Sequence, residues 1–125
     1  MIYGIGIDIV RICRVQEAFE KWGERFLQRV YTGDEIAYCF EKRNPHLSLA
    51  ARFAAKEAFI KAAGAGVSIA FSDIEVTHSD TGQPFLRLRR TLQDFLSNNH
   101  IAKVHLSLSH EQEYAVACVV LERHA

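Results

Sequence analysis

Along residues 50–63, read AARFAAKEAFIKAA, apolar side chains run nearly all the way round a helix. Alanine is the best helix former, and a helix that is apolar on most faces has to be covered. A chain of 125 residues has little interior to offer; at this size only roughly two-thirds of the unfolded surface is buried on folding. The way this helix is covered therefore dictates the layout of the rest. With 49% of residues hydrophobic, at the upper end of ordinary usage, some apolar surface is left over for other subunits. The four charges in the helix fall at matching spacings. Arg52 and Lys56 share one edge, and Glu57 and Lys61 share another, each four residues apart. Periodicity leaves two readings open. Either these are solvated surface charges, worth about 0.5 kcal/mol per pair, or an alanine-rich wall brings them close to a bound polyanion.

Pro45 suits the first turn of this helix, and Gly64-Ala65-Gly66 supplies its stop. Upstream, residues 2–10 read as a strand with Ile5, Ile7 and Ile9 on one face and Gly4, Gly6, Asp8 and Val10 on the other. Residues 11–25 read as a helix with Gly23 near its end. Thr32-Gly33-Asp34-Glu35 has capping-box spacing and opens a short helix containing Tyr38 and Phe40. Downstream, residues 73–77 and 84–88 are strands around the turn-forming Asp80-Thr81-Gly82, and residues 91–98 a last helix. Residues 104–109 and 114–121 form a hairpin whose second strand, almost continuously apolar, is expected to be buried on both faces. The fold class is α+β, an antiparallel sheet packed with helices, in one domain spanning residues 1–125.

Fifteen basic and fifteen acidic residues leave no net charge, which weighs against a general nucleic-acid binder. Cys13, Cys39 and Cys118 are odd in number and widely spaced, so neither a disulfide framework nor a zinc motif is expected. Met1-Ile2-Tyr3-Gly4 lacks the regions of a signal peptide, and no apolar run is long enough for a bilayer. The expectation is a cytoplasmic protein acting without membrane or nucleic acid.

Three sets of residues have chemistry to offer. Asp8 sits in an apolar strand, where a carboxylate is costly unless paired, hydrogen-bonded or bound to metal. The glycines beside it mark the close approach of a ligand or another backbone. Were Asp8 and Glu57 to converge, they would make a hard oxygen site of the kind magnesium prefers; otherwise Asp8 is a cap or an ion-pair partner. The helix at 11–25 divides into an apolar face (Val15, Phe19, Trp22, Phe26), an acidic face (Glu17, Glu20, Glu24) and a basic stripe (Arg11, Arg14, Lys21, Arg25). That stripe is either a solvated face or a docking strip for an acidic partner. Leu106-Ser107-Leu108-Ser109-His110 lacks the G-x-S-x-G elbow of a serine hydrolase. His110 reads as a hydrogen-bond donor to a ligand or as a turn residue.

Gly4-Ile5-Gly6-Ile7-Asp8-Ile9-Val10, together with Arg52-Phe53-Ala54-Ala55-Lys56-Glu57-Ala58 and Lys61-Ala62, resembles the two signature motifs of holo-acyl-carrier-protein synthases. Asp73-Ile74-Glu75-Val76, Gly82-Gln83-Pro84 and Leu106-Ser107-Leu108-Ser109-His110 follow in the family order, so the likeness runs over residues 1–123. The resemblance implies a trimeric α+β fold, 4′-phosphopantetheinyl transferase-like, with active sites between subunits. It implies transfer of 4′-phosphopantetheine from coenzyme A to a serine of an acyl carrier protein, releasing 3′,5′-ADP. Magnesium (Mg2+) would be held by Asp8 and Glu57 and would also bind the pyrophosphate. Lys61 would lie near the reacting phosphate, and Glu57 or a water would take the serine proton. Arg52, Gly64, Gly66, Gly82, Pro84 and His110 fall at or beside coenzyme A contacts. Arg14, Lys21 and Arg25 match the positions that dock the acidic carrier. Two positions depart from the pattern: Arg11 replaces a common glutamate and adds charge to the stripe, and Ala65 replaces a threonine between the two glycines. Other readings are a different small magnesium-dependent phosphotransferase or hydrolase, a non-catalytic trimeric ligand-binding protein, and a broader-specificity phosphopantetheinyl transferase. The last is typically about twice this length.

Overall fold

Two glycines decide how the molecule is put together. A Cβ on Gly4 would collide with the Ala62 carbonyl. One on Gly6 would collide with the Ala58 carbonyl and stand 2.7 Å from Ala62 N. The approach that the glycines permit is thus made by a backbone, that of the long alanine-rich helix. Small residues on both partners let this helix lie flat against the strand, with alanine methyls filling the seam.

The computed structural model describes residues 1–125. Strand β1 (Ile2–Arg11) leads into helices α1 (Ile12–Trp22), α2 (Glu24–Val30), α3 (Gly33–Phe40) and α4 (Pro45–Ala63). A 3₁₀ turn (Phe71–Asp73), β2 (Ile74–His78), β3 (Pro84–Leu88), α5 (Arg90–Asn98), β4 (Ile101–His110) and β5 (Tyr114–Arg123) complete the chain. The strands make two antiparallel sheets rather than the single one expected, β1-β5-β4 and β2-β3. In the larger sheet Asp8 is level with Ala117 of β5, which is level with Leu108 of β4.

The capping box at Thr32 forms in both directions, with Glu35 N donating to Thr32 Oγ1 and Thr32 N to Glu35 Oε1. Pro45 opens α4, and Asn44 caps it by accepting from Leu47 N. The helix expected over residues 11–25 is instead two helices. Gly23 adopts φ 56° and ψ −131°, which stops α1 at Trp22 and lets α2 begin in a new direction. Arg11 belongs to β1 and donates to the Tyr114 hydroxyl at 2.8 Å, so it does not extend a basic stripe along α1.

One core lies between α4 and the inner faces of both sheets, around Phe59, Ile74, Val119 and Leu121. A second holds α1–α3 against the start of α4, around Val15, Leu27, Cys39 and Leu49. The expectation that β5 is covered on both faces does not hold within one chain. Ala115, Ala117, Val119 and Leu121 are buried, whereas Val116, Cys118 and Val120 are only half-buried. Beside them on β1, Ile5, Ile7 and Ile9 are 60%, 61% and 62% exposed. This open apolar face lies opposite α4 on the sheet. No helix is long and apolar enough to cross a membrane.

Candidate active site

Because β1 and α4 are in backbone contact, Asp8 near the end of the strand comes alongside the last turns of the helix. Lys61 Nζ donates to Asp8 Oδ1 at 2.9 Å and to the Ile7 carbonyl at 3.0 Å. Lys61 thus pairs with Asp8 across the seam and forms no ion pair with Glu57, its neighbour four residues back. Asp8 and Glu57 line one cleft of about 310 Å³ with Arg14, and its floor is Val10, Val15, Ala18, Phe26 and Phe53. The Glu57 carboxyl is pushed above its usual range, first by burial and then by the negative charge of Asp8, with Lys61 opposing. A carboxylate held back from ionising by burial and by a second carboxylate beside it makes a place where a cation is welcome.

No cluster of three or more His, Cys, Asp and Glu residues is placed to hold a metal ion. The donor set here is two carboxylates, all oxygen. That fits magnesium, which commonly takes one or two carboxylates, keeps several waters and finds its remaining ligands on substrate phosphates. A larger cleft of about 450 Å³, lined by Arg11, Cys13, Gln16, Asn44, Gln112 and Glu113, lies elsewhere. The larger cleft has one carboxylate, Glu113, and lacks the pair that Asp8 and Glu57 make.

The remaining expected residues are spread over the molecule. Gly64 and Gly66, both at positive φ, form the loop that leaves α4 one turn after Lys61. Gly82 is in the β2–β3 turn, and Pro84 opens β3. Pro84 lines a separate cleft of about 300 Å³ with Ser79, Gln83, Phe85 and Val104. His110 ends β4 and is exposed. Within one chain none of Gly82, Pro84 and His110 lines the Asp8–Glu57 cleft.

Arg52 is buried, not solvated. Its guanidinium stacks 4.3 Å from the Tyr38 ring centroid and donates to Ser48 Oγ at 3.0 Å, while Nε has no partner. Lys42 Nζ lies 4.4 Å from the same ring, and the His78 ring stacks on it at 4.8 Å. Burial, then Arg52 and Lys42, push the His78 imidazole below its usual range. Of the basic docking residues, Lys21 lies 5.0 Å over Trp22. Arg25 has moved to α2, where it lines a groove of about 350 Å³ with Trp22, Phe26 and Arg29. Sequence reasoning did not single out Lys42 or Arg29, and named Tyr38 only as a helix residue. Glu35, the buried ion-pair partner of Lys56, left only the local signal of a capping box.

Comparison with known proteins shows the family. The profile of the 4′-phosphopantetheinyl transferase superfamily matches residues 4–119, and the chain belongs to that superfamily. Within it, the relatives are holo-acyl-carrier-protein synthases. The chain is 49% identical over 123 residues to the holo-[acyl-carrier-protein] synthase of Halothermothrix orenii, covering 98% of each. The crystal structure of the synthase from Neisseria meningitidis superposes with a TM-score of 0.92 at 38% identity, covering 98% of this chain and 100% of that one. The Helicobacter pylori synthase in complex with coenzyme A gives a TM-score of 0.82 at 32% identity, covering 94% of this chain and 99% of that one.

Proposed function

We propose that this chain transfers 4′-phosphopantetheine from coenzyme A to a serine of an apo acyl carrier protein, leaving 3′,5′-ADP. The observation that carries the reading is the convergence of Asp8, Glu57 and Lys61 across a glycine–alanine seam in a chain of this superfamily. Asp8 and Glu57 would hold a divalent cation, magnesium by their chemistry. When bound, it neutralises pyrophosphate charge and stabilises charge developing at the reacting phosphorus.

The protein's own groups do the rest. Glu57, or a water beside it, takes the proton of the serine hydroxyl. The serine oxygen bonds to the β-phosphorus as the bond from that phosphorus to the 3′,5′-ADP oxygen breaks. Lys61, half-exposed at the same edge, faces the charge that builds on the departing phosphate. Exposed Lys42, on the same aromatic ring as the buried Arg52, offers positive charge to a second anionic group of coenzyme A. Gly64 and Gly66 bring backbone close to the phosphates. Arg14, Lys21 and Arg25, joined by Arg29, meet the acidic carrier protein.

The working unit in this reading is a homotrimer of one-domain chains spanning residues 1–125. The open face of Ile5, Ile7 and Ile9 supports it, as does the distance of Gly82, Pro84 and His110 from the cleft, since active sites between subunits would draw them from a neighbour. The unpaired state of all three cysteines suits a reducing cytoplasm. Intact-mass spectrometry of an apo carrier protein incubated with this chain, coenzyme A and magnesium tests the reading. The expected result is a gain of one phosphopantetheine, abolished by chelator and by Asp8→Ala. An unchanged mass with a folded enzyme and a competent carrier would overturn it.

A further inference from the structure

The charged residue next to Glu57 points the other way. Lys56 is fully buried, and its Nζ donates to Glu35 Oε1 at 2.6 Å and to the carbonyls of Val30 at 2.7 Å, Ile74 at 2.7 Å and Phe71 at 3.1 Å. An ammonium has three N–H donors, so its capacity is saturated. It touches neither the Asp8 cleft nor solvent. Glu35 is as fully occupied: Oε1 also accepts from Thr32 N at 3.0 Å, and Oε2 from Val76 N at 2.9 Å. The four acceptors of Lys56 come from the end of α2, the start of α3, the 3₁₀ turn and β2. A single atom therefore fastens four segments to one flank of α4, while Gly4 and Gly6 of β1 press on another.

We infer that Lys56 is a positioning residue for its neighbour: the buried pair with Glu35 sets the rotation of α4 about its axis, and so the place of Glu57 opposite Asp8. The inference rests on the reading that Asp8 and Glu57 hold a divalent cation. Helix dimensions make the leverage large. A rotation of about 10° carries a carboxylate roughly 6 Å from the axis by about 1 Å, and a shift of about 1 Å in a preorganised site costs as much as 10²-fold in rate. Apolar packing often stabilises as well as a buried ion pair. What packing lacks is direction, and the four-way anchoring at Nζ supplies it.

The test uses the full chain with Mn²⁺ as probe, titrated by electron paramagnetic resonance at a temperature well below the melting point of every variant. Transfer kinetics are measured alongside. Lys56→Met is expected to bind Mn²⁺ about tenfold more weakly and to lose kcat more than it raises KM for coenzyme A. A role confined to stability would lower the melting point and leave Mn²⁺ affinity alone, so a folded Lys56→Met with wild-type affinity and kcat overturns the inference. If that variant does not fold, Thr32→Val serves instead. It removes the hydroxyl that caps Glu35 N and donates to Glu75 at 2.6 Å, and leaves Lys56 in place. A smaller loss of Mn²⁺ affinity supports the inference; a lower melting point with unchanged affinity overturns it. A wild-type chain whose Mn²⁺ binding is indifferent to Asp8→Ala would overturn the metal reading itself, and the inference with it.

Discussion

Helix α4 carries two pairs of charges at identical spacing, and they have opposite fates. On one edge Arg52 and Lys56 are buried, Lys56 with every donor used inside the protein. On the other, Glu57 and Lys61 stay partly open, and Lys61 reaches across to Asp8. The two lysines differ in what covers them. The first faces carbonyls and a carboxylate that chain reversal has gathered around it. The second faces a strand whose glycines let the helix approach but leave the rim to solvent. A charge that is closed off has become structure; one left at a rim is available to a ligand.

Several substitutions sharpen or break this contrast. The largest effect is expected at the seam that positions the open edge. Gly6→Val places side-chain carbons into the Ala58 carbonyl, where nothing flexible can yield. A stability loss of about 3 kcal/mol or more is expected from overpacking, seen by thermal melting as an unfolded or molten chain. Next comes the closed edge. Lys56→Met leaves Glu35 buried without its partner and should cost about 3–5 kcal/mol, read from the denaturation midpoint. On the open edge, Lys61→Met should cost under about 1 kcal/mol, since the Lys61 end of its pair is half-exposed and screened by solvent, yet transfer to the carrier should fall sharply. If Lys61→Met destabilised as much as Lys56→Met, the distinction between the edges would fail.

The smallest and most graded effect is in pH. A raised Glu57 pKa means that the folded chain holds this proton more tightly than the unfolded one. The folded state is therefore favoured by this group at low pH, and that contribution is lost as pH rises through the raised value. A cation has the opposite preference. Mn²⁺ affinity should weaken as pH falls through the raised value toward the ordinary 4.5, and calorimetry in buffers of different ionisation enthalpy should detect proton release on binding in that window. Glu57→Gln should abolish that release. The sheet face offers a separate check: Ile7→Asp on the exposed isoleucine row should yield monomers in sedimentation and leave α4 intact.

Much of this was legible in the residues. Thr32 with Glu35 is a local signal whose partners lie within a turn, Pro45 suits a first helical turn by itself, and both formed as expected. The strand's division into a glycine–Asp8 face and an isoleucine face was also readable, because side chains alternate. What covers each face was not. A strand glycine is equally consistent with a ligand or a backbone alongside, and only the tertiary fold decides for α4. Gly23 lay near an expected helix end, but its backbone angles, which start a second helix at once, leave no trace in periodicity. The burial of Lys56 was hidden for a similar reason: its acceptors come from residues 30, 35, 71 and 74, and no pattern within α4 points to them.

The central claim is that the chemistry belongs to the open edge, where Glu57 meets Asp8. Its most direct test is the rate of carrier-protein modification by Glu57→Gln, followed by intact mass at saturating coenzyme A and magnesium, with the melting point of the same sample as control. A loss of at least about 10²-fold with an unchanged melting point is the predicted result. A rate close to wild type would place the chemistry elsewhere and contradict the account.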